Sequence, residues 1–99
     1  MAKTPIYDKD PSAVLDYKFD WSDWLGSDTI TGTPTVSVEA ISGDASPLAA
    51  VTPLEKDTTS ATAWLSGGTV GNSYTVTVEI VTTGGRTDQR SIEIRVVER

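Results

Sequence analysis

The chain contains no cysteine and no histidine. Zinc sites built from the usual ligands, thiol nucleophiles, disulfide frameworks and histidine-based triads are thereby excluded. Bases are few, 8 against 14 acids, which leaves a net charge of −6. A phosphate backbone needs a basic face, so nucleic acid is not expected as a partner. No apolar run approaches the ~18 residues of a membrane-spanning helix. The opening residues carry Lys3, Asp8, Lys9 and Asp10 and no hydrophobic stretch that would direct secretion. A soluble chain made in a cytoplasm, with no membrane partner, is the expectation. Its 99 residues suffice for one domain around one modest core.

What the chain has in quantity is threonine, 15 residues, and valine, 10. Both are β-branched and favour the pleated backbone. Glycines and prolines cut the chain into segments of strand length, and the one stretch of helical length, Ala45 to Lys56, is interrupted by Pro47 and Pro53. Alternation is explicit in four places. Leu15, Tyr17, Phe19 and Trp21 alternate with Asp16, Lys18 and Asp20. Val36, Val38 and Ala40 share a face, as do Tyr74, Val76, Val78 and Ile80, and then Ile92, Ile94 and Val96. A period of two with one apolar face describes strands covered on one side only. With weaker strands at Leu48 to Val51 and Thr59 to Leu65, the pattern predicts an all-β sandwich of about six to eight antiparallel strands.

The last hairpin permits a prediction of register. A three-residue loop Gly84-Gly85-Arg86 sets Val78 opposite Ile92 and Val76 opposite Ile94, with a glycine in the left-handed conformation. Residues 1–12, with Pro5, Pro11 and mixed charge, read as an extended arm outside a sandwich at 13–99. A neighbouring subunit is the economical partner for such an arm.

Each chemical motif has a plain reading beside it. Asp8, Asp10, Asp16, Asp20, Asp23 and Asp28 lack the loop pattern of a calcium site, and a glycosidase pair needs a deep cleft, so solvated surface is the simpler reading. Gly67-Gly68 and Gly84-Gly85 read as turns, since no helix follows either as a phosphate loop requires. The serines have no histidine and no Ser-x-x-Lys partner. Catalytic residues, cofactors and metals are therefore not expected. Trp21, Trp24 and Trp64 offer a sugar platform as one reading. The other places Trp21 in the core and turns Trp24 or Trp64 to an interface. Trp64 is opposite in parity to Ala61, Ala63 and Leu65, so either it or they point outward. Arg86, Arg90, Arg95 and Arg99 give the last strand an alternating basic edge, which reads first as ordinary surface charge and alternatively as an edge meeting the acidic face of a neighbouring copy.

The run Trp64-Leu65-Ser66-Gly67-Gly68, then Gly71-Asn72-Ser73-Tyr74-Thr75-Val76-Thr77, Thr83-Gly84-Gly85-Arg86-Thr87-Asp88 and Ser91-Ile92-Glu93-Ile94-Arg95-Val96 resembles the closing half of an immunoglobulin-like sandwich, where a tyrosine opens the penultimate strand. Joined to the opening from Asp16 through Trp21 and Trp24 to Leu25, the chain is similar to small virion structural proteins of tailed bacteriophages. This resemblance implies a non-enzymatic virion component, in the first place a capsid decoration or cement protein. The alternatives are a neck, tail or fibre-attachment protein, or a carbohydrate-binding adhesin module. Its expected partners are other virion proteins, such as major capsid or connector proteins, and copies of itself in a homo-oligomer. The expected contact residues are Thr4, Pro5, Ile6 and Tyr7 of the arm, Trp24 and Trp64, and secondarily Arg86 and Arg90.

Overall fold

A computed structural model describes residues 5–39 and 42–98. Thr4, Ala40 and Arg99, to which the sequence assigned roles, lie outside the described residues. Eight strands and one helical turn form among them: β1 (Ile6–Lys9), β2 (Leu15–Asp20), α1 (Ser22–Leu25), β3 (Ile30–Val38), β4 (Leu48–Ala50), β5 (Glu55–Lys56), β6 (Ser60–Gly67), β7 (Ser73–Thr82) and β8 (Thr87–Val96). They build two sheets. The first has the order β1-β8-β7-β3. In the second, β6 lies between β2 on one side and β4 and β5 on the other. The fold is all-β, as the alternation predicts.

The core is the set of inward positions of both sheets. Tyr74, Val76, Val78 and Ile80 of β7 and Ile92, Ile94 and Val96 of β8 face Phe19, Ala61, Ala63 and Leu65, with Trp21 wholly buried among them. Burial on β2 grows along the strand. Leu15 is exposed, Tyr17 half-buried and Phe19 buried, so the expected uniform face holds only towards Trp21. The turn α1 follows because the Asp20 carboxylate accepts the Ser22 N–H at 2.8 Å, and Leu25 N–H closes one helical turn on the Trp21 carbonyl at 2.9 Å. Gly26, at φ +62°, ends it.

Three expectations are corrected. First, residues 6–9 form an edge strand, and it runs parallel to β8 with Ile6 opposite Glu93 and Lys9 opposite Val96. The connection to β2 turns at 10–13, where Ala13 N–H meets the Asp10 carbonyl. It passes to the other sheet instead of closing a hairpin, so nothing imposes the antiparallel sense. Second, the β7–β8 register sets Val78 opposite Arg90, Val76 opposite Ile92 and Tyr74 opposite Ile94. The loop has three residues, but they are Thr83-Gly84-Gly85. Thr82 N–H bonds the Arg86 carbonyl and Gly85 N–H the Thr82 carbonyl. The left-handed residue of such a loop is its third, and Gly85, at φ +87°, supplies it. Moving the loop by one residue moves the register by two and keeps every side chain on its face. Third, the arginines do not share an edge. Arg90 has the parity of buried Ile92 and Ile94, whereas Arg95 lies on the opposite face of the pleat, ion-paired with Asp8 at 2.9 Å.

Candidate interaction surface

The outer face of the smaller sheet carries the isolated large aromatic. Ala61, Ala63 and Leu65 are buried, so the pleat turns Trp64 outward, and it is 38% exposed. Its indole N–H donates to Glu55 Oε1 at 2.9 Å, which orients the ring. On one flank Asp16 is its cross-strand neighbour. On the other, Val51 N–H bonds the Trp64 carbonyl, placing exposed Val51 beside it. A tryptophan and a valine thus stand together on a face otherwise lined by Asp16, Lys18, Thr62 and Glu55. Exposed aromatic and apolar pairs of this kind mark contact surfaces.

A second apolar area lies where β1 and β2, the edge strands of the two sheets, flank one side of the sandwich. Ile6, Tyr7 and Leu15 are all exposed there. The Tyr7 and Tyr17 rings meet at 5.3 Å between centroids, tilted by 49°. Ile6, Tyr7, Asp8, Tyr17 and Arg95 line an open groove. Three groups bridge the sheets along this side. Lys9, fully buried, donates from Nζ to the Gly67 carbonyl at 2.8 Å and the Asp10 carbonyl at 2.9 Å, and burial lowers its pKa from the ordinary lysine value. The tyrosine pair is the second bridge. Arg90, which donates to the Asp20 carbonyl while its guanidinium lies 5.1 Å from the Trp21 ring centre, is the third.

At one end of the sandwich Asp28 organises the loops. It accepts Thr29 N–H and Gly84 N–H at 2.9 Å each and pairs with Arg86 Nε at 3.1 Å. The Thr82 hydroxyl, then these donors, hold its pKa at about 2. Arg86 also caps the Leu25 carbonyl and covers Trp24, 4.1 Å from its ring centre. At another loop cluster the Tyr74 hydroxyl accepts Thr69 N–H at 3.0 Å and donates to Asp44. The Thr69 and Tyr74 hydroxyls hold the Asp44 carboxyl below its ordinary range.

The expected contact residues therefore divide. Pro5, Ile6 and Tyr7 stand on an open sheet edge, and Trp64 on an open face. Trp24, Arg86 and Arg90 brace loops and core within the chain, and Trp21 is core, so the three tryptophans form no common platform. Lys9 escaped the sequence reading because its charge argued for solvent. The only signal was its parity with Tyr7 in a strand that itself went unseen. Among the described residues no group of three or more acidic side chains is placed to hold a metal ion.

Comparison with known proteins places this surface in context. A family model described as podophage GP4 fiber-tail adaptor protein gp77 matches residues 9–95. No curated protein matches the chain.

Proposed function

The chain belongs to the podophage GP4 fiber-tail adaptor protein gp77 family, whose members are structural components of the virion, and we propose that it joins a tail fibre to the tail of a podophage particle by contact alone. The family description supports fibre attachment over the capsid decoration that leads the sequence expectations. One observation carries the reading to particular residues. Trp64 and Val51 stand exposed and adjacent on a face where the pleat puts polar side chains, with Glu55 holding the indole in place. A rigid aromatic on a sheet can anchor an interface at little entropic cost. Ile6 and Tyr7 on the β1 edge form a separate contact area, and an adaptor needs at least two.

The immunoglobulin-like reading of the sandwich has support in the strand order β1-β8-β7-β3 over β2-β6-β4. It is supported too by Tyr74, whose hydroxyl reaches back to the backbone of Thr69 from the start of the penultimate strand.

The reading is tested on particles. With Trp64→Ala supplied in place of the native chain, fibre occupancy on purified particles is expected to fall by tenfold or more, on the order of a hot-spot loss, while the variant keeps its β-sheet spectrum. Full fibre occupancy with Trp64→Ala would remove Trp64 from the contact, and full occupancy with the gene deleted would refute the adaptor role.

A further inference from the structure

Taking the Trp64 face as a contact of the adaptor, we propose that Trp64, Glu55 and Asp16 seat one arginine side chain presented by the partner protein. The chain builds the same arrangement twice for itself. Trp21 donates its indole N–H to Asp88 at 2.8 Å, and Arg90 lies over that ring with its Nε 3.9 Å from the same carboxylate. Trp24 is covered by Arg86, 4.1 Å from its ring centre, and Asp28 holds that arginine at 3.1 Å. In both places an indole face, a guanidinium and a carboxylate lie together.

Trp64 has the first and the last of these parts. Its indole N–H donates to Glu55 Oε1 at 2.9 Å, as that of Trp21 does to Asp88. Asp16 stands directly across the strand pair on the same face, where β-carbons lie about 5 Å apart. Both carboxylates are exposed, and neither forms an ion pair among the described residues. The tryptophan is 38% exposed, and no lysine or arginine among the described residues lies over it. Arg86, Arg90 and Arg95 are engaged by Asp28, Asp88 and Asp8. Among the described residues, no arginine is left to complete the third set.

The chemistry of the gap selects arginine over other side chains. A planar guanidinium stacks on an indole while its edge N–H groups reach carboxylates, which a compact ammonium does less well. Glu55 gives Oε1 to the indole, and Oε2 faces no competing bond from that ring. Exposed Val51, beside Trp64, offers an apolar wall to the methylene stem. A purely apolar partner would instead cover two carboxylates without pairing them, which is costly. The net charge of −6 draws a basic surface to the same face.

The indole N–H signals of the full chain, followed by NMR at low salt, test this with the peptide acetyl-Gly-Arg-Gly-amide. The Trp64 signal, identified by its loss in Trp64→Phe, is expected to shift saturably. The lysine counterpart should bind about threefold more weakly or worse. Asp16→Asn combined with Glu55→Gln removes both charges yet keeps an acceptor for the indole, and should weaken the arginine peptide about fivefold. On particles, the same double substitution should lower fibre occupancy as Trp64→Ala does. A Trp64 signal unmoved by the arginine peptide, moved equally by the lysine peptide, or unaffected by the double substitution would each overturn the arginine seat. Fibre loss with Trp64→Ala but full occupancy with the double substitution would overturn it too, while leaving the adaptor contact standing. The peptide titration needs no particle, so a failure of the adaptor reading itself would show only in fibre occupancy.

Discussion

Asp28 and Asp57 show how single carboxylates order this chain. Asp57 accepts Thr59 N–H and Ser60 N–H at 2.8 Å each and the Ser60 hydroxyl at 3.0 Å. It thereby shapes the turn that launches β6, and the Thr59 N–H is the largest of the causes that bring its pKa to about 2. Asp28 stands at about 2 as well. Both lie below the ordinary value of 3.8, so between those limits the unfolded chain binds protons that the folded chain does not. Their stabilisation is complete above pH 3.8 and is lost as the pH falls through 2. The thermal midpoint is therefore expected to drop across that window and to drop less in Asp57→Asn. An equal acid slope in native and variant chains would contradict the assignment. At this scale composition could exclude histidine and thiol chemistry. Which aspartates are structural was not legible, because Asp16 and Asp57 differ only in the backbone donors that the fold brings to them.

At the scale of the element, alternation located the long strands because one face of each is covered and the other wet. It could not set the β7–β8 register. Opposing valine to isoleucine is a preference of a few tenths of a kcal/mol to about 1 kcal/mol, whereas the loop demands a left-handed residue at its third position. Gly85 meets that demand, and the displaced register leaves Asp88 to accept the Trp21 indole N–H at 2.8 Å and Arg90 to cover that ring. Gly85→Ala is expected to cost about 1 kcal/mol in urea unfolding, with no change in the strand spectrum. An unchanged midpoint would show that the loop tolerates another conformation. β1 was illegible for a different reason. Four residues are too few to display a period, and its inward lysine is satisfied by carbonyls that lie 1 and 58 residues away in the chain.

For the whole molecule, the sheet order separates two kinds of surface. One side of the sandwich ends in the edges of β1 and β2 and carries Ile6, Tyr7 and Leu15. The outer face of the smaller sheet carries Trp64 and Val51. The outward turn of Trp64 was legible as one of two options, which the burial of Ala61, Ala63 and Leu65 decides. The arginines, which the charge pattern offered as contacts, are largely engaged in holding Trp21, Trp24 and Asp28 in place. Nothing in the strand pattern distinguishes a fibre adaptor from a capsid cement, since both work by contact and neither needs a reactive group. The family match favours the tail-associated reading. Cross-linking of purified particles through Lys18 and Lys56, read out by mass spectrometry, tests it most directly. Links from this chain to both tail and fibre proteins are the expected result, and links confined to the head shell would contradict it.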